Sequence, residues 1–288
     1  MARRRLLGDE LWARHLMPSA DEREIARHYT LTADDLEQVA AKRGDANRLG
    51  YALILLYLRH PGRALDAGET PPDAVLAYAG GQLGIDAGMF DDYARRDATR
   101  RAHLAEATLA GGYATFDRTA AHAAVSFLTA SAQTILRPGQ LAGILVEELR
   151  RRRVLLPTPL VLEAVIRGAR ERAERVAQEV LTSGLDEATL ARLDALLDPR
   201  PAGKLTWIGW LRNAPQSPAP KNVPKLIERV RHLRAVGIDR ARAGALPTPV
   251  FERMADEAAR IATQHLAGLN PLRRRAIFAA GAIGSRRR

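Results

Sequence analysis

Residues 32–62, TADDLEQVAAKRGDANRLGYALILLYLRHPG, decide the fold class of this chain. Thr32 and Asp35 have the spacing of a capping box, in which a hydroxyl and a carboxylate bind the free backbone amides at a helix start. The helix that follows should run to about Arg43, because Gly44 can adopt the left-handed conformation that ends a helix. The stretch therefore opens with a well-delimited helix.

Asp45 can cap a second helix, from Ala46 to about Arg59, which His60-Pro61-Gly62 ends. Two helices joined by so tight a turn, the second nearly all apolar after its first turn, predict a helix-turn-helix-like unit.

Similar signals recur along the whole chain. Ser19–Glu22 reads as another capping box, and no stretch shows the sustained period-two alternation of a half-buried strand. In the helix at about 159–181, Glu163 and Arg167 stand four residues apart, as on a solvated helix face. The sequence therefore predicts an all-α, multi-helical protein. Further helices are expected at about 71–83, 87–96, 98–110, 119–134, 138–152, 186–197, 205–213, 221–236, 249–266 and 271–283.

Glycine and proline mark the expected domain boundaries. Gly111-Gly112 interrupts the helical pattern, and residues 198–203 have the composition of a linker. We expect an N-terminal helical DNA-binding domain at 1–112, a second helical domain at 113–199 and a basic helical domain at 200–288.

Positive charge is concentrated in the last third. The 288 residues carry a net charge of +11, and residues 200–288 hold 18 Lys/Arg against five Asp/Glu, so residues 1–199 sum to −2. A concentrated positive field on a folded chain favours a polyanion, most commonly nucleic acid. The bland alternative is a basic protein that merely prefers arginine.

Several classes of protein are not supported by the sequence. The chain has no cysteine, so disulfides and thiolate metal sites are excluded and a cytoplasmic setting is expected. The seven histidines lack metal-protease spacing, and no glycine-rich phosphate loop is present. Leu49–Leu58 is too short to span a bilayer, and Asp9 interrupts any signal-peptide core. We expect no catalytic residues, no metal, no cofactor and no membrane association.

The strongest local candidate for DNA contact is Arg43–Tyr51. It places Asn47, Arg48 and Tyr51 in the first turns of a helix, next to Arg43. Arginine and asparagine can pair with guanine and adenine edges, and a helix N-terminus attracts phosphate. The alternative is that Arg48 pairs with Asp45 or another carboxylate and only ties two helices together.

Basic clusters supply the remaining candidates. Arg151 and Arg152 lie in a four-arginine helix end, where a solvated last turn is the alternative to phosphate contact. Trp207 and Trp210 share a face that favours core packing over base stacking, which leaves their basic neighbours as candidates. A predicted basic helix adds a stripe suited to tracking a DNA backbone. The candidates from these last two segments are Lys204, Arg212, Lys221, Lys225, Arg229 and Arg231.

The N-terminal third contains seven short motifs in a fixed order and spacing: HYTLT at 28–32, RGDANRLGY at 43–51, LRHPGR at 58–63, ETPP at 69–72, QLG at 82–84, YARR at 93–96 and TRRAHL at 99–104. In this order and spacing they resemble the N-terminal domain of Tn-three family replicative transposases. Weaker matches continue beyond residue 113, as in Leu193–Leu197 and Trp210–Arg212.

This resemblance implies binding to the terminal inverted repeats of a transposon by several helical modules. In the family, strand transfer belongs to a later ribonuclease-H-like domain, and the sequence leaves the family pattern after Arg275. We therefore expect a truncated, non-catalytic chain that binds double-stranded DNA and associates with the nucleoid. A homodimer and association with full-length transposase are the protein partners left open. The alternative from another class is a helical protein–protein or dimerisation module with an incidental basic surface.

Overall fold

The chain is all-α. A computed structural model describes residues 5–19, 21–95, 97–201, 203–215 and 219–284. Within these ranges it forms sixteen α-helices and three short 3₁₀ helices, with two isolated β-bridges but no strand. The predicted fold class is confirmed, whereas the helix-turn-helix-like unit stays a prediction.

The first ten helices occupy the chain as far as residue 182. They are α1 (Asp9–Leu16), α2 (Glu22–His28), α3 (Ala33–Ala40), α4 (Asp45–Arg59), α5 (Asp73–Leu83), α6 (Met89–Ala94), α7 (Asp97–Ala110), α8 (Arg118–Ala132), α9 (Pro138–Arg151) and α10 (Pro159–Thr182).

Six more helices follow, and the short 3₁₀ helices lie among them at Ala195–Leu197, Pro220–Asn222 and Arg240–Ala245. The α-helices are α11 (Glu187–Asp194), α12 (Trp207–Arg212), α13 (Val223–Ala235), α14 (Thr248–Arg260), α15 (Thr263–Ala267) and α16 (Pro271–Gly284).

The chain divides into two compact units. The first comprises Met1–Leu128 with Arg137–Ala169, and the second comprises Thr129–Leu136 with Arg170–Arg288. The division falls inside α8, between α8 and α9, and inside α10. The finer three-domain scheme stays a prediction.

Helix α4 is the central element of the first unit's core. Every residue from Leu49 to Leu58 is buried, and α4 packs against α3, α5, α6 and α7. The capping box at Thr32 is confirmed, because Thr32 Oγ1 accepts from Asp35 N and the Asp35 carboxylate accepts from Thr32 N. Gly44, at φ +82°, precedes α4 as its N-cap residue and supplies no side-chain cap, so the expected cap by Asp45 is wrong. Helix α3 ends at Ala40 rather than at about Arg43, and a turn separates it from Gly44.

Two other local expectations fail for identifiable reasons. Asp21, not Ser19, caps α2, because its carboxylate accepts from the amides of Arg23 and Glu24. Glu163 is 1% exposed rather than solvated, and it accepts hydrogen bonds from Leu6 N and Trp12 Nε1. A glutamate four residues before an arginine has the same local sequence whether it pairs on the helix surface or is buried against donors from a distant segment.

The second unit is built around the pairing of α14 with α16. A Cβ placed on Gly281 would lie 2.7 Å from the Ala258 Cβ, and one on Gly284 would lie 3.0 Å from the Ala255 Cβ. Because Gly281 and Gly284 lack side chains, the two helices approach closely at these positions. Their buried faces, which include Phe251 of α14, form the centre of this unit's core.

Candidate nucleic-acid interface

The turn before α4 is held together by side chains predicted to contact DNA. Arg48 Nε donates to the Lys42 carbonyl oxygen at 3.0 Å, and its guanidinium lies 3.7 Å from the Asp45 carboxylate. Asn47 Nδ2 donates to the Arg43 carbonyl oxygen at 2.8 Å. The Arg43 side chain is exposed and makes no ion pair with another described residue. Arg43 is therefore the cation at this turn most available to a ligand.

Tyr51 belongs to the core rather than to a surface. It is 0% exposed, and its hydroxyl donates to Gln38 Oε1 at 3.2 Å. Lys42 Nζ lies 4.1 Å from the ring centroid, and the His103 ring packs edge-on at 5.2 Å. Burial raises the pKa of Tyr51. Contact with DNA would require this packing to open, so we leave Tyr51 out of the interface.

Arg151 and Arg152 share one carboxylate at the end of α9. Arg151 Nε lies 2.8 Å from Glu148 Oε2, and Arg152 Nε lies 2.6 Å from Glu148 Oε1. Hydrogen bonds from Arg151, with further ones from Arg152, lower the pKa of Glu148 to about 2 against the opposing effect of burial. One carboxylate thus neutralises one of the two guanidinium charges, and Arg151 and Arg152 present less charge than the sequence run suggests.

Arg212 caps another helix instead of facing outward. Its Nε donates to the Ala258 carbonyl oxygen at 2.9 Å, and Nη1 donates to the Ile261 carbonyl oxygen at 2.7 Å. These oxygens lie at the C-terminal end of α14, where carbonyls lack partners within the helix and the macrodipole favours a cation. Partial burial lowers the pKa of Arg212. Lys204, by contrast, is exposed and makes no ion pair with a described residue.

The two tryptophans of α12 pack as core residues, as the sequence indicated. Trp210 is 7% exposed, and the Trp207 ring stacks on the His232 ring with centroids 4.3 Å apart. Arg229 lies over Trp210 at 4.4 Å, and its Nη2 donates to the Asn213 carbonyl oxygen at 3.1 Å. The predicted backbone-tracking stripe of α13 therefore includes the side that packs against α12, and Arg229 is committed to that contact.

The solvent side of α13 is a different face from the predicted stripe. Three large apolar side chains are exposed there: Val223 at 43%, Ile227 at 46% and Val230 at 41%. Arg231 and Arg234 share this face, since they follow Ile227 by one and two helical turns. We call the exposed set the α13 face; it comprises Val223, Ile227, Val230, Arg231 and Arg234. Lys225 is exposed on another side of the helix, because residues two apart do not share a helix face, and Lys221 is exposed in the 3₁₀ helix before α13.

Sequence reasoning missed the apolar part of this face. The spacing of Val223, Ile227 and Val230 was a readable signal, because residues three and four apart share a helix face. The spacing alone does not tell a buried stripe from an exposed one, and α13 buries Leu233 on another side.

Two classes of site have no support among the described residues. No group of three or more histidine or acidic side chains comes close enough to hold a metal ion in this part of the chain. Within the same ranges, no helix combines the length and apolar character needed to cross a bilayer. Arg286–Arg288, which carry three of the positive charges, lie outside the described residues.

Comparison with known proteins decides the family. The family model described as "Domain of unknown function (DUF4158)" matches residues 6–169, more than half of the chain. The chain belongs to the DUF4158 family. Among curated relatives of this DUF4158 protein are the transposases for transposon Tn3926 of Escherichia coli (36% identical over 222 residues) and for transposon Tn501 of Pseudomonas aeruginosa (32% over 262 residues).

The DUF4158 protein is therefore related to Tn-three family transposases, as its motifs predicted. The transposase for transposon Tn21 of Escherichia coli is 33% identical over 257 residues, which is 89% of this chain and 26% of the relative. For the Tn3926 relative the corresponding shares are 77% and 22%, and for the Tn501 relative 91% and 26%. The chain thus spans about a quarter of the length of these relatives.

Proposed function

We propose that this chain binds double-stranded DNA at the terminal inverted repeats of a Tn-three-like transposon. The observation that carries the proposal is a set of four exposed cations on and around α13: Lys221, Lys225, Arg231 and Arg234. These four side chains make no ion pair with another described residue, whereas Arg229 and Arg212 donate to protein carbonyl oxygens. Release of counterions on contact with DNA phosphates would drive binding at such a surface.

The α13 face also suits reading of base edges. Helix α13 has thirteen residues and is about 20 Å long, and a single helix fits the major groove. Ile227 and Val230 lie among the arginines, and apolar side chains contact thymine methyl groups in that groove. We assign phosphate contacts to Arg231, Arg234, Lys221 and Lys225, and contacts with thymine methyl groups to Ile227 and Val230.

In the second unit Lys204 is a further candidate contact, and in the first unit the turn before α4 and the end of α9 offer separate, smaller contributions. Arg43 is exposed, and Arg48 keeps N–H groups that the turn does not use. Arg151 and Arg152 contribute through the one positive charge that Glu148 leaves unbalanced.

The chain itself is proposed to bind DNA without cutting or joining it. Support comes from the described residues, among which no cluster of acids or histidines is placed to hold a metal. We expect it to act in the cytoplasm, on the nucleoid, and to assemble with transposase subunits.

One observation favours a second function. Three exposed apolar side chains in one stripe are also what an interhelical contact needs, so the α13 face could instead pair with a second copy. Ile227→Lys separates the two functions, because a lysine removes the apolar contact but adds a cation. Dissociation of a dimer without loss of duplex binding would support self-association at this face.

The test of the DNA-binding proposal is the salt dependence of duplex binding. The triple variant K225Q/R231Q/R234Q should weaken binding to all duplexes and flatten the plot of log K against log salt by roughly 0.9 per lost contact, about 2.7 in total. The matched control R23Q/R137Q/R170Q removes three exposed arginines elsewhere and should leave the slope unchanged. Equal slopes for the two triple variants would refute the assignment.

A further inference from the structure

A cavity in the first unit is lined by three arginines and a tyrosine. Its volume is about 340 Å³, and the polar part of its wall is made by Arg59, Arg150, Arg153 and Tyr113. Leu58, Gly62 and Val154 complete it. Arg151 and Arg152, which lie between Arg150 and Arg153, do not line the cavity.

Backbone hydrogen bonds fix the three segments that form this cavity. Ala114 N donates to the Arg153 carbonyl oxygen, and Leu155 N donates to the Ala114 carbonyl oxygen, both at 2.9 Å. Leu156 N donates to the Gly62 carbonyl oxygen at 2.8 Å. The end of α4, the segment after α7 and the end of α9 are thereby tied together. The positions of the lining residues are set by main-chain contacts rather than by a mobile loop.

The guanidiniums are only partly used by the protein. Arg59 pairs with the buried Asp35 carboxylate, and its Nη1 also donates to the Thr30 carbonyl oxygen at 3.1 Å. Arg150 Nη1 pairs with Glu147 at 2.7 Å, and its Nε and Nη2 donate to the carbonyl oxygens of Pro61 and His15, both at 2.8 Å. Arg153 has no carboxylate partner among the described residues, and it spends one N–H on the Gly111 carbonyl oxygen, at 2.7 Å. Since a guanidinium carries five N–H donors, donors remain on all three arginines, most of all on Arg153.

The Tyr113 hydroxyl adds an unused donor to the same wall. It makes no hydrogen bond to another described residue, and Tyr113 is partly buried against the core. Burial raises the pKa of Tyr113, and the nearby charges of Arg59 and Arg153 act in the opposite direction. The hydroxyl thus stays protonated and can donate to an anion held by the arginines.

We propose that this cavity binds a phosphate group through the guanidiniums of Arg153, Arg150 and Arg59 and the hydroxyl of Tyr113. Arginine recognises phosphate with paired N–H donors, and three guanidiniums against two carboxylates leave the cavity positive. The volume accommodates a phosphate with an attached sugar. The phosphate group can belong to a DNA backbone or be free inorganic phosphate. Only the first of these depends on the proposed DNA-binding function.

The first arm of the test uses inorganic phosphate. Phosphate should raise the unfolding temperature of the wild-type chain relative to chloride at equal ionic strength, because a ligand that binds the native state stabilises it. Arg153→Gln should abolish this shift, and Tyr113→Phe should reduce it. Arg23→Gln, an exposed arginine on α2, is the charge-matched control and should keep the full shift. Tyr113→Phe removes a hydroxyl without a protein partner, so it reports on the cavity even if Arg153→Gln proves unstable.

The second arm measures duplex binding. If the group is a backbone phosphate, Arg153→Gln should flatten the salt slope by roughly 0.9 and inorganic phosphate should compete with the duplex. If Arg153→Gln removes the rise in unfolding temperature caused by phosphate but leaves the salt slope of duplex binding unchanged, the ligand is free phosphate. The proposal is overturned if Arg153→Gln and Tyr113→Phe both keep the wild-type phosphate shift and the wild-type slope. The triple variant K225Q/R231Q/R234Q should lose duplex binding but keep the rise in unfolding temperature that phosphate causes. This result would show that the cavity and the α13 face act independently, so that one proposal can fail without the other.

Discussion

Replacing Arg212 should destabilise the chain without removing a DNA contact, although the sequence made it a DNA-binding candidate. In the structure its guanidinium donates to the carbonyl oxygens of Ala258 and Ile261. Helix α14 ends at Arg260, so these two oxygens have no amide partner inside the helix. Arg212→Ala therefore leaves two carbonyls unpaired at a half-buried helix end.

The size of the effect follows from those two contacts. A hydrogen bond from a charged donor is worth about 1.5–3 kcal/mol, and a cation at a helix C-terminus adds about 0.3–1 kcal/mol. Water will satisfy part of what is lost, because the site is only partly buried. We expect Arg212→Ala to lower the free energy of unfolding by about 2–4 kcal/mol. The change should appear in the urea midpoint followed by circular dichroism.

Arg231→Ala provides the matched opposite case. Arg231 is exposed and makes no ion pair with a described residue, so its removal should change stability by less than about 0.5 kcal/mol. It should instead flatten the salt slope of duplex binding by roughly 0.9. Arg212→Ala, measured where it is fully folded, should keep the wild-type slope. The reasoning is refuted if Arg212→Ala leaves stability unchanged and flattens the slope.

Three further substitutions test other contacts. Glu163→Ala should lower the free energy of unfolding by about 2–4 kcal/mol, because Trp12 Nε1 and Leu6 N lose their buried acceptor; the exposed Glu171→Ala should cost far less, and equal costs would contradict the placement. Burial, with the charge of Arg150 adding to it, lowers the pKa of His60 to about 4, so its contribution is present above about pH 6.5 and is lost as pH falls towards 4. That loss should reach roughly 2 kcal/mol at pH 5, and urea unfolding of His60→Gln should show a correspondingly smaller difference between pH 7 and pH 5. Arg48→Ala should lower stability by about 1 kcal/mol through the lost bond to the Lys42 carbonyl oxygen; an unchanged urea midpoint with weaker binding to one duplex sequence would make it a base contact instead.

The local signals of the sequence were sufficient for much of the fold. The capping box at Thr32 and the glycine at 44 predicted where α3 begins and where the turn into α4 falls. The apolar run after Leu49 predicted a buried helix. These features depend on residues within one or two turns of each other, which is the range over which caps and periodicity act.

The roles of individual arginines could not be predicted in the same way. Arg212 meets a helix end 46 residues later in the chain, and Arg229 packs on Trp210 across another turn. An arginine that caps a distant helix and one that faces solvent have the same local sequence. Only tertiary packing distinguishes the two kinds of arginine. It places Arg212 and Arg229 in contacts within the protein, and it leaves the apolar stripe around Ile227 exposed.

Selection of binding sites from a random duplex library tests the central claim most directly. The chain should enrich one sequence motif that occurs in the terminal inverted repeats of a Tn-three-like transposon. Competition should then show that the selected duplex binds at least about 100-fold more tightly than a scrambled version, since each mismatched base pair costs about 1–3 kcal/mol. Recovery of no motif, or equal affinity for the selected and scrambled duplexes at every salt concentration, would contradict the proposal.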